Sequence, residues 1–274
     1  MEIKAADVAK LRQMTGAGMM DCKNALVEAN GDFDRAKEII REKGKLVAAK
    51  RADRATTEGA VIAKISPGYK KAILVCLGCE TDFVSQNAEF KALANSIADT
   101  ALAEYPADLK ALLDARVGET TIQELVTQQT GKSGEKHDIP YYAHIEAEYI
   151  AAYIHTNGKV ATIAGFNKKV SDEVGKDIAM QITAMAPVSV NRAECPQAVI
   201  DKELEIYREQ IRQEGKPENM VDKIAQGKLQ KFFKESTLED QTFVKDGKIS
   251  VADYLKAADP AAKVTAFRRF SLND

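Results

Sequence analysis

The pattern that most limits what this chain can fold into is a hairpin followed by a helix, written twice. Gly59-Ala60-Val61-Ile62-Ala63-Lys64-Ile65, the turn Ser66-Pro67-Gly68 and the run from Lys71 to Leu77 predict two strands joined tightly. A helix is predicted next, with Phe90, Leu93, Ala94, Ile97 and Ala101 at three- and four-residue spacing. The same order returns from Ala143 to His155, through the turn Thr156-Asn157-Gly158, along Val160 to Phe166, and into a helix from about Ser171 to Met185. Two such units can pack helices over antiparallel hairpins, which makes the expected fold class α+β with a duplicated ββα core.

The flanking segments have a different period. Residues 4 to 43 read as three short helices. Val8, Leu11 and Met14 share a face of the first, and Gly16-Ala17-Gly18 breaks it. The second runs from Met19 to Asn30-Gly31, where glycine accepts a left-handed cap. Asp32 or Asp34 can N-cap the third, which carries Ala36, Ile39 and Ile40 and is expected to end at Gly44. Residues 45–57, with Lys50-Arg51-Ala52-Asp53-Arg54, have little to bury and read as a linker, with an RNA contact as the alternative. Far downstream, Ile200, Leu204, Tyr207 and Ile211 form a seam that Gly215-Lys216-Pro217 interrupts. Val221, Ile224, Ala225, Leu229 and Phe232 continue it, so a helical hairpin is expected over about 196–235. Phe243, Val251, Tyr254 and Leu255 then return to the core, and Lys263 to Phe270 reads as a last strand. The expected organisation is a bundle over 1–44, a linker over 45–57, and core halves over 58–138 and 139–274.

Composition narrows the function. A chain of 274 residues with 45% hydrophobic content can bury a proper core. Its net charge of −2 argues against a dedicated nucleic-acid binder, which needs an excess of Lys and Arg against phosphates. No apolar run reaches the length of a membrane span, and the first residues lack the apolar stretch of a secretory signal, so the expected location is cytoplasmic. The four cysteines, Cys22, Cys76, Cys79 and Cys195, suit reduced buried thiols.

Motifs for chemistry are imitations. Cys76-Leu77-Gly78-Cys79 has thiol-pair spacing but ends a strand and has no second pair to complete a zinc site. Gly131-Lys132-Ser133 resembles the end of a phosphate loop, yet Val126 stands where that loop needs glycine; a surface turn is expected. His144 and Glu146 fit an alternating strand, and His137 an ordinary loop. Neither a metal nor a cofactor is expected, and no enzyme activity.

Attention therefore falls on Cys79-Glu80-Thr81-Asp82-Phe83-Val84, which sets a carboxylate beside a large aromatic where the apolar strand ends, on an expected exposed loop. Together with Met14-Thr15-Gly16-Ala17-Gly18-Met19-Met20-Asp21-Cys22-Lys23-Asn24-Ala25-Leu26, and on to Val264-Thr265-Ala266-Phe267-Arg268-Arg269-Phe270, it closely resembles the bacterial elongation factor Ts family. The resemblance covers nearly the whole chain. It implies a guanine-nucleotide exchange factor that binds elongation factor Tu in its GDP-bound and nucleotide-free states. It implies that Thr81, Asp82, Phe83 and Val84 displace the partner's magnesium, the aromatic acting as a wedge. It further implies partner contacts by Arg12, Met19, Met20, His155 and Val244, and likens the N-terminal bundle to ubiquitin-associated domains. The helical hairpin associates copies in some relatives, so a homodimer stays open. The sequence runs to Asp274, and the extra C-terminal helical module of longer relatives is not expected here. Two other readings remain: an interaction module without exchange activity, and an RNA-associated translation protein.

Overall fold

The computed structural model describes residues 3–272; Met1, Glu2, Asn273 and Asp274, at the ends of the expected bundle and core, lie outside the described residues. Helices α1 (Ala5–Thr15), α2 (Met19–Glu28) and α3 (Phe33–Lys50) come first. They pack around Val8, Leu11, Cys22, Ala25, Leu26 and Ala36. Gly16, at φ 67°, closes α1, and the Asp32 side chain accepts from the backbone N–H groups of Asp34 and Arg35 at the start of α3. The sequence stops this helix at Gly44 and gives residues 45–50 to the linker. Instead α3 continues to Lys50, with Gly44 buried inside it.

Strands β1 (Glu58–Ile65) and β2 (Lys71–Cys79) form the first hairpin, with Glu58 opposite Cys79 and Ile65 opposite Ala72. Then follow α4 (Asp82–Ser85), α5 (Ala88–Glu104), α6 (Leu109–Asp114), β3 (Arg116–Val117), β4 (Thr120–Thr121) and α7 (Ile122–Ser133). Strand β5 (His137–Glu146) runs antiparallel along β2, completing a sheet ordered β1-β2-β5. The second hairpin is β6 (Tyr149–Ile154) and β7 (Val160–Phe166), followed by α8 (Asp172–Met185), α9 (Gln197–Gln213), α10 (Glu218–Ser236), β8 (Thr242–Phe243), β9 (Asp246–Ser250), α11 (Val251–Ala258) and β10 (Val264–Ser271). The second sheet is antiparallel, ordered β10-β7-β6. The α+β expectation holds.

The alternation of β2 explains the layering. Ile73, Val75 and Leu77 meet Phe90, Ala94 and Ile97 of α5 on one face. Ala72, Leu74 and Cys76 point the other way and pack against Ile150, Ala161 and Ile163 of the second sheet. A strand buried on both faces needs the unbroken apolar run that Ala72 to Leu77 supplies, each large side chain stabilising the fold by about 1.5–3 kcal/mol. Over the second sheet, Ile178 and Ile182 of α8 pack with Phe166 and Val264.

Three local readings are corrected. The stretch from Ala143 to His155 is not one strand: β5 ends at Glu146 and β6 begins at Tyr149, because the chain leaves one sheet for the other. Gly131-Lys132-Ser133 is the last turn of α7 rather than a surface turn, and Gly131 faces Gly44 across the crossing of α3 and α7. His137 is no loop residue; it starts β5 and is only 5% exposed. Farther on, α9 and α10 share two apolar clusters, one around Leu229 and Phe233 and one around Ile211, Val221 and Ala225. Ion pairs Arg208–Asp222 (2.7 Å) and Lys228–Glu214 (3.2 Å) cross between them.

Candidate functional site

Phe83 is 87% exposed, the most exposed of the large hydrophobic side chains among the described residues. It stands on α4, a single turn of helix, with Asp82 exposed beside it and Val84 half-buried against the cluster beneath α5. Ser85, buried, donates its hydroxyl to the Asp82 carbonyl at 3.1 Å and closes the turn. A Phe left in water forgoes the stabilisation that burial would give, so this one contributes little to its own fold.

The root of this helix is tightly fastened. Thr81 donates its hydroxyl to Glu135 Oε1 at 2.6 Å and its backbone N–H to Glu135 Oε2 at 3.1 Å. Glu80 accepts from the Lys136 N–H at 2.6 Å and from Arg51 Nη1 at 2.8 Å. Those bonds, the backbone one foremost, hold the Glu80 carboxyl below the usual carboxylate range. Arg51 closes α3, so the end of the N-terminal bundle reaches the same root. The connecting residues are pinned further by Lys136 Nζ on the Arg54 carbonyl (2.8 Å) and Thr56 Oγ1 on Asp138 Oδ1 (2.8 Å). Below them, Cys79 donates to the Thr81 carbonyl at 3.2 Å, and burial pushes its thiol up to about 12. Burial likewise raises Cys76, so neither is the thiolate that redox or metal chemistry needs.

The remaining expected contact residues lie on other elements. Met19 and Met20 open α2 and are 44% and 63% exposed, and Arg12 is exposed near the end of α1. His155 is exposed at the turn between β6 and β7, its N–H donating to the Val160 carbonyl at 2.9 Å and its Nδ1 lying 3.4 Å from the Tyr153 hydroxyl. Val244 is 44% exposed between β8 and β9. Its backbone N–H donates at 2.8 Å to Oε1 of the fully buried Gln181, whose Nε2 donates to the Thr242 carbonyl and Gln241 Oε1, both at 3.2 Å. One turn earlier on α8, Asp177 accepts from Lys245 Nζ (2.6 Å) and from the Tyr254 hydroxyl (2.9 Å). Phe243 turns inward onto Tyr254 while Val244 turns out. The structure thus gathers Thr81 to Val84 on one segment and leaves the others on the bundle, the β6–β7 turn and the β8–β9 turn.

Glu135, Arg51, Gln181 and Asp177 escaped the sequence reading. Glu135 lies 54 residues from Thr81, and no periodicity links residues that far apart. The available hint was only a charged residue just past a helix end.

Among the described residues no group of three or more His, Cys, Asp or Glu side chains is arranged to hold a metal, and no helix is long and apolar enough to cross a membrane. What the site offers is apolar area and a carboxylate on a braced support, the means of a protein that acts by contact. A family model described as Elongation factor TS matches residues 80–274. Over its full length the chain is similar to proteins described as elongation factor Ts: 49% identical to that of Christiangramia forsetii over 273 residues (99% of both chains), and 47% identical to that of Porphyromonas gingivalis over 274 residues (100% of this chain, 99% of the relative). With that of Amoebophilus asiaticus the identity is 45% over 272 residues, 98% of both. The chain belongs to the elongation factor Ts family, and its role is that of a translation elongation factor.

Proposed function

We propose that this protein is a guanine-nucleotide exchange factor that binds elongation factor Tu carrying GDP, disturbs its magnesium coordination and promotes GDP release. The observation that carries the reading is Phe83, 87% exposed on a helix whose root is fixed by Glu135 and by the Glu80–Arg51 pair. Phe83 inserts into the partner, Asp82 acts near the magnesium, and Thr81 and Val84 join them to the core. Once the magnesium is lost, the main charge holding the GDP phosphates is gone and nucleotide affinity falls. By linkage, nucleotide and factor weaken each other by the same ratio, so incoming GTP expels the factor from the nucleotide-free complex.

Magnitude requires further contacts. Burying one Phe yields about 1.5–3 kcal/mol, or roughly ten- to a hundredfold in an equilibrium constant. Arg12, Met19 and Met20 on a bundle like ubiquitin-associated domains, together with His155 and Val244, supply the rest of the grip. The chain works in the cytoplasm without a cofactor and without direct nucleic-acid contact; in keeping with the last, Arg51 of the basic stretch is engaged by Glu80. Helices α9 and α10 form an antiparallel hairpin that can associate two copies. The test is release of a fluorescent GDP from elongation factor Tu: acceleration by catalytic amounts of the protein is expected, and binding without acceleration would leave a plain interaction module.

A further inference from the structure

We propose that Glu135 is a positioning residue for the Phe83 wedge, an inference that rests on the exchange reading above. Thr81 stands at the N-cap of α4, where a threonine commonly accepts from the first turn of its own helix. Here its side chain makes no cap bond and donates outward to Glu135 instead. Both Glu135 oxygens are taken by Thr81, one by its hydroxyl and one by its N–H. The neighbouring pair is the mirror of this: Glu80 takes the N–H of Lys136. Residues 80–81 and 135–136 therefore exchange carboxylates across the ends of β2 and β5, where Cys79 lies opposite His137. Two bonds from one residue to the two oxygens of one carboxylate fix direction as well as distance, which a single bond cannot.

The clamp is what a four-residue helix requires. Helix α4 has too few turns to set its own axis, and Phe83, 87% exposed, is not held in place by burial among the described residues. Its direction is therefore dictated from Thr81. Glu135 also stands just past the Gly134 cap of α7, which packs against α3 of the bundle, and Arg51 at the end of α3 grips Glu80. The bundle and the wedge thus share one support, so binding through the bundle delivers Phe83 at a set angle. A wedge off by about 1 Å can lose as much as a hundredfold in rate while the remaining contacts still form.

The experiment measures GDP release from elongation factor Tu against concentration for the full chain and for Glu135→Ala, Glu135→Gln, Thr81→Val and Phe83→Ala, alone and in pairs, with thermal unfolding alongside. Glu135→Ala is expected to lower the maximal stimulated rate about tenfold and to shift the half-effect concentration less than about twofold, because the bundle contacts are untouched. Glu135→Gln keeps an acceptor for the Thr81 hydroxyl and is expected to restore most of the rate. Thr81→Val is expected to resemble Glu135→Ala, with no further loss when the two are combined. In the Phe83→Ala background, Glu135→Ala is expected to change nothing, since no wedge is left to aim. If Glu135→Ala fails to fold, Glu135→Gln and Thr81→Val test the same pair. A full rate in Glu135→Ala and Thr81→Val, or an equal further loss without Phe83, overturns the positioning role. Binding of the unsubstituted chain without any acceleration of release overturns the exchange reading itself, and unchanged release in Phe83→Ala overturns the wedge, so the failures are distinguishable.

Discussion

The crossing of α3 over α7 makes an asymmetric prediction about two glycines. A Cβ at Gly131 would lie 2.8 Å from the Gly44 Cα and 3.7 Å from the Gly44 nitrogen, against backbone that cannot swing aside. A Cβ at Gly44 would meet the Gly131 Cα and the Thr127 carbonyl oxygen at 3.8 Å, an ordinary contact. Overpacking of this kind costs about 1–3 kcal/mol. Helix propensity returns up to about 1 kcal/mol for Gly→Ala inside a helix, and less near an end, where Gly131 sits. Gly131→Ala is therefore expected to lose about 1–2 kcal/mol, while Gly44→Ala is neutral or gains up to about 1 kcal/mol. Thermal unfolding reads the difference at roughly 2–4 °C per kcal/mol. Because Arg12, Met19 and Met20 ride on the helices that α3 carries, Gly131→Ala should also raise the half-effect concentration in GDP release with little change in maximal rate. A Gly131→Ala protein as stable as the parent, or a Gly44→Ala protein that is the worse of the two, would refute the close crossing.

Further expectations concern single side chains. Asp82→Asn keeps size and removes charge; its loss of exchange should shrink when magnesium is withdrawn beforehand, and an identical loss with and without magnesium would remove Asp82 from the metal mechanism. Gln181→Met leaves the Val244 N–H without its buried acceptor, costing about 1–3 kcal/mol, whereas Lys231→Met, which removes only an exposed pair with Glu235, should cost little; denaturant titration of both compares them. Burial lowers the His137 pKa, and its Nε2 has no hydrogen-bond partner. The unfolded chain therefore takes up the proton first, so this contribution is whole above about pH 6.5 and is lost as pH falls through the unfolded value toward the lowered folded one. Thermal midpoints measured from about pH 7.5 to 5.5 should show that loss, and His137→Asn should flatten it.

The sequence made some of this legible and hid the rest for physical reasons. Ala72 to Leu77 announced an apolar strand, though not that both its faces are buried, and Phe83 stood out as an aromatic set beside a carboxylate where that strand ends. Gly44 misled, because a glycine serving close helix contact looks the same in sequence as a glycine serving a stop. The run from Ala143 to His155 hid a change of sheet, since alternation continues through Ala147 and Glu148 whichever sheet receives it. His137 was misjudged because its cover comes from elsewhere, its ring lying 5.7 Å from that of Phe90. Glu135, Arg51 and Gln181 act across 29 to 63 residues, where only the folded chain brings partners together.

The most direct test of the central claim separates binding from release at Phe83. Titration calorimetry with nucleotide-free elongation factor Tu and stimulated GDP release would be measured on the parent and on Phe83→Ala, with thermal unfolding as the control. Because Phe83 is 87% exposed, its truncation should move the midpoint little, and the complex should still form through the bundle, His155 and Val244. Stimulated release should fall about ten- to a hundredfold, the worth of one buried Phe. Release undiminished in Phe83→Ala, or a midpoint lowered as a core truncation of about 3–5 kcal/mol would lower it, would contradict the account.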